Sequence, residues 1–360
     1  MLGGGIAEAG GAGRRLAYVG TYTTGDQGGH GVVTAAVGRG GVLAETAATA
    51  TPNPSFLALA PSGRALYAVN ELTDGAITAF AVGPGGALRA IGTQTSHGAD
   101  PAHLEVHPSG RYVLLGNYSS GNVVVYPVGA DGGLGAASDV VQHTGSGPDQ
   151  DRQRGPHAHQ IVTDPTGRNV AAVDLGADSV FVYGLDLATG RLRPRSQARL
   201  RPGAGPRHLA FHPSGRFAYV VNELDSTIVV CAYDAARGEL RPGSPQSTLP
   251  AGTTGPRNFP AEVLVSPDGR FVYSTNRGHN SVAVFAVEQA GAALRLLAAP
   301  SCGGDWPRHA ALDPTGRRLY VSNQRSAAVT TFDVDPRTGG LTQVGALPTP
   351  SPVCVVFAQP

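Results

Sequence analysis

The sequence predicts an all-β protein: one seven-bladed β-propeller of four-stranded antiparallel blades, its ring closed by the C-terminal strand joining the N-terminal blade. Three observations predict it. A turn of the form Pro-Ser/Thr/Asp-Gly-Arg recurs six times, at Pro61, Pro108, Pro165, Pro213, Pro267 and Pro314, in steps of 47, 57, 48, 54 and 47 residues. Each turn sits between two short apolar runs and is followed by two more β-rich runs, at a spacing near the ~40–50 residues of a propeller blade. The chain ends complement one another, with three strand-like runs before the first repeat and one after the last.

The stretch 53–71, NPSFLALAPSGRALYAVNE, shows the unit most plainly. Residues 56–60 and 65–69 are apolar runs. Pro61 supplies the fixed φ that starts a turn, and Gly63 supplies a positive φ without steric cost. Neither belongs inside a central strand. A third run follows at 76–82, and after a Gly-rich turn a fourth at 88–95. Third strands are expected in the other repeats at 122–128, 179–185, 227–233, 281–287 and 328–334. At the N-terminus, 16–22, 31–37 and 42–49 match the second, third and fourth strands of a unit, and 352–358 matches a first strand. Together they make a seventh blade, which pairs the edges an open ring would leave.

The composition fits one such domain. Apolar residues are 41%, and no apolar run approaches the ~20 residues of a membrane helix. The formal net charge of +1 gives no global field for nucleic acid or anionic lipid. All 27 basic residues are Arg, so lysine Schiff-base chemistry is excluded. Cys231, Cys302 and Cys354 are odd in number and far apart, and read as small core residues of a reducing compartment. Residues 1–13, Gly/Ala-rich and without the basic start of a signal peptide, read as a disordered tail before a single domain at 14–360. The expectation is a cytoplasmic monomer with no cofactor. Neither a dinucleotide glycine fingerprint nor a phosphate-loop motif is present.

Hairpin symmetry selects candidate site residues. The start of each first strand and the end of its second strand lie at the same mouth of the channel. Six residues before each turn Pro stand Ser55, Ala102, His159, Arg207, Ala261 and Arg308. Mirrored about the turn Gly are Glu71, Tyr118, Leu175, Glu223, Arg277 and Gln324. Arg207 and Glu223 become cross-strand neighbours about Gly215, with His159 one blade earlier and Arg277 one blade later. Charge is expected to concentrate on that arc. A neutral His, or a carboxylate held by Arg, can act as a general base on water. Arg can fork onto a carboxylate, a phosphate or a developing oxyanion. No G-x-S-x-G elbow suggests a serine nucleophile.

Other residues read more plainly. His103, His208 and His309 share one column, and His107 and His212 another. Their recurrence points to structural hydrogen bonds, as does that of Asn70, Asn117, Asn222, Asn276 and Asn323 at strand ends. His157 and His159 are read as pointing to opposite faces and so as poor metal co-ligands, and no metal is expected. The longest loop, 142–156, opens at the same mouth and carries Arg152 and Arg154, useful to an anionic ligand. Arg154, His157 and Glu71 are taken as substrate-binding candidates.

The stretches YVGTYT (18–23), RQRGPHAHQ (152–160), GPRHLAFHPSGRFAYVVNEL (205–224) and NFPAEVLVSPDGRFVYSTNRGHNSV (258–282) resemble the seven-bladed propeller lactonase family. That family includes the propeller type of 6-phosphogluconolactonase and the fungal 3-carboxy-cis,cis-muconate lactonizing enzymes. The resemblance runs from about residue 16 to the C-terminus. It implies that the His, Arg, Glu and second Arg proposed for the muconate branch fall on His159, Arg207, Glu223 and Arg277, with His157 in the same motif. It further implies hydrolysis of a small anionic sugar lactone, 6-phosphogluconolactone foremost. The alternatives are a carboxymuconate cycloisomerase and a non-enzymatic binding propeller.

Overall fold

A computed structural model describes residues 15–24 and 28–358. The tail expected at 1–13 lies outside the described residues. The described chain forms seven four-stranded antiparallel sheets arranged as propeller blades. The blades are numbered here by their innermost strands: blade 1, Pro352–Phe357; blade 2, Leu57–Leu59; blade 3, Pro101–Val106; blade 4, Ala158–Thr163; blade 5, Pro206–Phe211; blade 6, Phe259–Val265; blade 7, Pro307–Leu312. In blade 1 the C-terminal strand pairs with Leu16–Thr21, which continues to Val32–Val37 and Leu43–Thr49. This is the closure expected from the chain ends. No helix among the described residues is long and apolar enough to cross a membrane.

The expected turns form where Gly was placed. Gly63, Gly110, Gly167, Gly215, Gly269 and Gly316 all have φ between +67° and +73°, a region costly for any residue with a Cβ. Valine-rich second and third strands bury side chains on both faces, because each blade is covered by a neighbour on either side. A repeated tie joins successive blades. Buried tyrosines of second strands donate to backbone carbonyls near the outer turn of the next blade: Tyr67 to Gly132 (2.9 Å), Tyr112 to Leu187 (3.1 Å) and Tyr219 to Gly291 (3.1 Å). Tyr320 makes the same bond to Gly41 (2.6 Å), across the junction that closes the ring. Each ring fills the gap between blades while its hydroxyl satisfies a carbonyl that would otherwise be costly to bury.

The register departs from the sequence expectation in one respect. Regular pairs in the fifth hairpin run His208 with Val221 and Phe211 with Ala218, so the mirror lies between Ser214 and Gly215, not on Gly215. Arg207 is therefore not a ladder partner of Glu223. A β-bulge follows, with Pro206 opposite Asn222 and Arg207 left over. The same shift leaves out Ala102, His159, Arg308 and Val353 in blades 3, 4, 7 and 1, and sets Ala261 and Glu262 opposite one residue in blade 6. A bulge releases one side chain from the ladder and re-aims it. Repeated around the ring, it builds the channel mouth.

Candidate active site

Four arginines and two glutamates meet at this mouth. A cavity of ≈ 290 Å³ is lined by Glu71, Ala102, Tyr118, Arg152, His159, Glu223, Arg277 and Arg308. Glu223, buried at the end of the second strand of blade 5, is its centre. Arg277 Nη2 donates to Glu223 Oε2 at 2.6 Å, and Arg152 Nη2 donates to Oε1 at 2.7 Å. Arg207 Nε lies 3.2 Å from Oε2 as an ion contact, while its Nη1 donates to the Ala261 carbonyl at 2.6 Å. Arg277 is fixed further by the carbonyls of Phe259 and Pro260, and lies 5.6 Å from the Trp306 ring centre. Across the mouth, Tyr22 donates to Glu71 Oε2 at 2.8 Å. Arg308 stands 3.7 Å from that oxygen, over the Tyr22 ring.

The electrostatics follow from burial and crowding. Burial alone would raise the Glu223 carboxyl; the guanidiniums of Arg277, Arg207 and Arg152 override it and hold Glu223 well below the usual carboxylate range. Burial, then repulsion from Arg277 and Arg308, pushes Arg207 down to about 9, which leaves it charged at neutral pH. His159 is held well below 6.5, by burial first and then by Arg207 and its neighbours, so its imidazole is neutral at pH 7. Its Nδ1 is buried without a hydrogen-bond partner among the described residues. Four arginines against two glutamates leave the mouth two positive charges in surplus, a field for an anion.

The family model described as "Lactonase, 7-bladed beta-propeller" matches residues 16–357. The chain belongs to that family. It is 36% identical to the 6-phosphogluconolactonase of Bacillus subtilis, over 95% of this chain and 98% of that protein. It is 32% identical to the 6-phosphogluconolactonase of Formosa agariphila, over 80% and 83% of the two chains. Among solved structures, the periplasmic gluconolactonase of Pseudomonas aeruginosa superposes with a TM-score of 0.89 at 33% identity, covering 96% of this chain and 99% of that one.

Within this propeller lactonase, His159, Arg207, Glu223 and Arg277 come together as the sequence led one to expect, although the bulge rather than ladder pairing brings Arg207 to Glu223. Glu71 lines the same cavity. Two candidates stand apart. Arg154 is exposed and its Nε caps the Gln150 carbonyl inside its own loop. His157 is not among the cavity's lining residues; it stacks on Tyr118 at 4.5 Å, with Nδ1 against the Tyr118 carbonyl at 2.9 Å. The expectation that His157 and His159 point to opposite faces is overturned. Alternate residues of a regular strand would share a face; here His157 precedes the strand and the bulge releases His159, and both rings contact Tyr118, His159 edge-on at 5.6 Å.

Charge is also not confined to one arc, because Arg308 stands across the mouth. Its signal was available, since it occupies the same repeat position as Arg207. Arg152 reaches Glu223 from the long loop, 71 residues away in sequence, and only its presence in that loop hinted at the site. Tyr22, within the stretch 18–23, orients Glu71. The repeated histidines are structural where expected: His107 and His212 each bridge a turn Ser hydroxyl and the turn Gly carbonyl of the next blade.

Proposed function

We propose that this chain hydrolyses a sugar lactone carrying an anionic group, with 6-phosphogluconolactone as the leading substrate. The observation that carries this reading is a buried Glu223 carboxylate gripping three arginines beside a neutral His159, in a cavity with surplus positive charge. The names borne by the family members from Bacillus subtilis and Formosa agariphila support the same substrate.

Water attacks the lactone carbonyl, and His159 takes its proton. With Oε1 and Oε2 both committed to guanidiniums, Glu223 is a poor base and serves as the anchor that fixes the arginines. Charge developing on the carbonyl oxygen is met by N–H groups already oriented and desolvated, the arrangement in which such donors are worth most. The tetrahedral intermediate then collapses by breaking the bond to the ring oxygen, which leaves as a hydroxyl with the proton held by His159. One water is consumed and one hydroxy acid is formed, and the reaction needs no cofactor. An anionic substrate also offsets the positive field that depresses His159, raising its basicity as the complex forms.

The experiment is hydrolysis of 6-phosphogluconolactone, glucono-1,5-lactone and carboxymuconolactone against their spontaneous rates, with carboxymuconate cyclisation followed by ultraviolet absorbance. Enzymatic opening of the phosphorylated lactone is expected. A rate no better than buffer would exclude that substrate, and turnover of muconate alone would make the chain a cycloisomerase. The protein is further proposed to be a cytoplasmic monomer. Its three cysteines are free and buried, as a reducing compartment allows. Cell fractionation and light scattering test these two points.

A further inference from the structure

We propose that Arg308 is the receptor for the substrate's distal anion, and that Glu71 sets how much negative charge a ligand must carry to be accepted. The proposal rests on the lactonase reading above and divides the cavity into two ends with different tasks.

The four arginines are not equivalent. Arg152 is committed to Glu223 and the Tyr118 hydroxyl. Arg207 is committed to Glu223 and the Ala261 carbonyl, and Arg277 to Glu223 and two backbone carbonyls. Arg308 makes no hydrogen bond to any described residue. Its one charged neighbour within 4 Å is Glu71, at 3.7 Å, an ion contact too long for a hydrogen bond. Its side chain is 18% exposed, against 3% for Arg207 and 6% for Arg277; Arg152, at 33%, is more exposed but already bonded to Glu223 and Tyr118. A guanidinium carries five N–H donors in a rigid fork that matches the oxygens of phosphate or carboxylate. Arg308 thus presents a fork to the cavity, its guanidinium carbon 5.4 Å from the centre of the Tyr22 ring.

Glu71 gives this receptor a threshold. Tyr22 holds its Oε2 at 2.8 Å, so the carboxylate stays facing Arg308 and repels any arriving anion. A neutral hydroxyl at this end of a sugar gains little, because it cannot displace Glu71 from Arg308. A phosphate brings more charge and more acceptor oxygens than a carboxylate, and can take the fork over. Selectivity then comes from an element that disfavours the wrong ligand as well as one that attracts the right one. The reacting end, with His159 and the Glu223 cluster, stays free to handle the lactone carbonyl.

Two readouts test this. The first is the ratio of kcat/KM on 6-phosphogluconolactone to that on glucono-1,5-lactone. The second is calorimetric binding of 6-phosphogluconate against gluconate. In Arg308→Gln the ratio should fall about 10- to 100-fold, the size of a lost charge-assisted fork, mainly through KM, and phosphorylated product should bind correspondingly more weakly. Glu71→Gln keeps an acceptor for Tyr22 and should tighten product binding about three- to tenfold. An unchanged ratio in Arg308→Gln, or an equal loss of kcat on both lactones, would overturn the receptor role. Weaker product binding in Glu71→Gln would overturn the threshold. If the wild-type protein opens neither lactone, the hydrolase reading fails by itself, and the product-binding arm still decides the role of Arg308.

Discussion

Two rings of side chains line the channel, one residue apart along the same innermost strands. They hold similar chemistry to opposite ends. The upper ring contains His159, Arg207 and Arg308; the lower contains Phe56, His103, Gln160, His208, Glu262 and His309. Apart from the half-buried Arg308 and Phe56, both are buried, and burial depresses the histidines of both. They differ in where the polar atoms find partners. In the lower ring the next blade supplies most of them: Ile161 N–H donates to His103 Nδ1, Leu209 N–H to Gln160 Oε1 and Val355 N–H to His309 Nδ1, while His208 Nε2 and Glu262 Oε2 make no hydrogen bond among the described residues. His208 Nδ1 meets Glu262 at 2.9 Å, and Phe56 packs on His103 at 4.1 Å. The void bordered by this ring and by Arg207 and Arg308 measures only ≈ 10 Å³, no larger than a single water. His159 and Arg308 of the upper ring line the ≈ 290 Å³ cavity, and Arg207 stands behind it against Glu223.

A perturbed pKa therefore does not separate a catalytic histidine from a structural one here; access and partner choice do. The bulge is the device that makes the difference. In blades 1, 3, 4, 5 and 7 one residue is released from the ladder at the mouth, and the next returns to the ladder and ties the ring.

The sharpest way to break this comparison is at Glu223. Glu223→Ala leaves the buried guanidiniums of Arg207 and Arg277, and the partly exposed one of Arg152, without their shared counter-ion, and removing one member of a buried set costs about 3–5 kcal/mol. A fall in kcat/KM of about 10³-fold or more is expected, with a lower thermal midpoint. Glu223→Gln should also lose most activity through both kcat and KM, since a neutral amide cannot hold three cations. Steady-state kinetics and thermal unfolding of both variants check this. If Arg207→Ala and Glu223→Ala combined lose less than tenfold, the upper ring is not the site.

His159 comes next. His159→Ala should lower kcat by about 10²–10⁴, the usual worth of a positioned base, while His208→Gln, one ring below, should lower it far less. The pH profile sharpens the point. The field of Arg207, Arg308 and Arg277 adds to burial in keeping the free-enzyme imidazole neutral well below pH 6.5. The acid limb of kcat/KM should therefore fall well below that pH. Bound anion cancels part of the field and raises the imidazole's pKa, so the acid limb of kcat should lie at higher pH than that of kcat/KM. Identical limbs, or limbs unmoved in an active Arg308→Gln variant, would remove His159 from the base role.

Much of this was legible in the sequence because turn chemistry and period-two patterning are local. Pro61-Ser-Gly63-Arg specifies a hairpin wherever it lies, and the complementary ends specify the closure. The residues of the site were legible as positions in a repeat, which is how His159, Arg207, Glu223 and Arg277 were found. The bulge was not, because the released residues Ala102, His159, Arg207 and Val353 share no chemistry; its one local mark is the proline immediately before it in five blades, Pro101, Pro206, Pro260, Pro307 and Pro352, and a proline at a strand start signals a strand boundary as readily as a bulge. Nor could local pattern show that Arg152 rather than Arg154 enters the mouth. That choice depends on a fold-back in which Gln153, between them, is anchored to the Leu175 carbonyl and Asp178.

The smallest effect belongs to the lower ring and concerns stability. His309 is pushed down to about 4 by burial first, then by His208, Arg207 and Arg308, with Glu262 acting the other way. Its folded pKa lies below its unfolded value of about 6.5, so the unfolded chain binds the proton more readily. The stability contributed by keeping His309 neutral is complete above pH 6.5 and is lost as pH falls from there towards 4. His309→Gln removes this proton and should flatten the acid slope of unfolding free energy by at most about 1.4 kcal/mol per pH unit across that window. It should also lower stability at pH 7.5, since Gln packs differently against Val355 and Glu262. Urea unfolding of both proteins at pH 7.5, 6.0 and 5.0 measures the two terms separately. Parallel loss at all three pH values would mean that His309 is held by packing alone, and that its neutrality contributes nothing to the way the ring is tied.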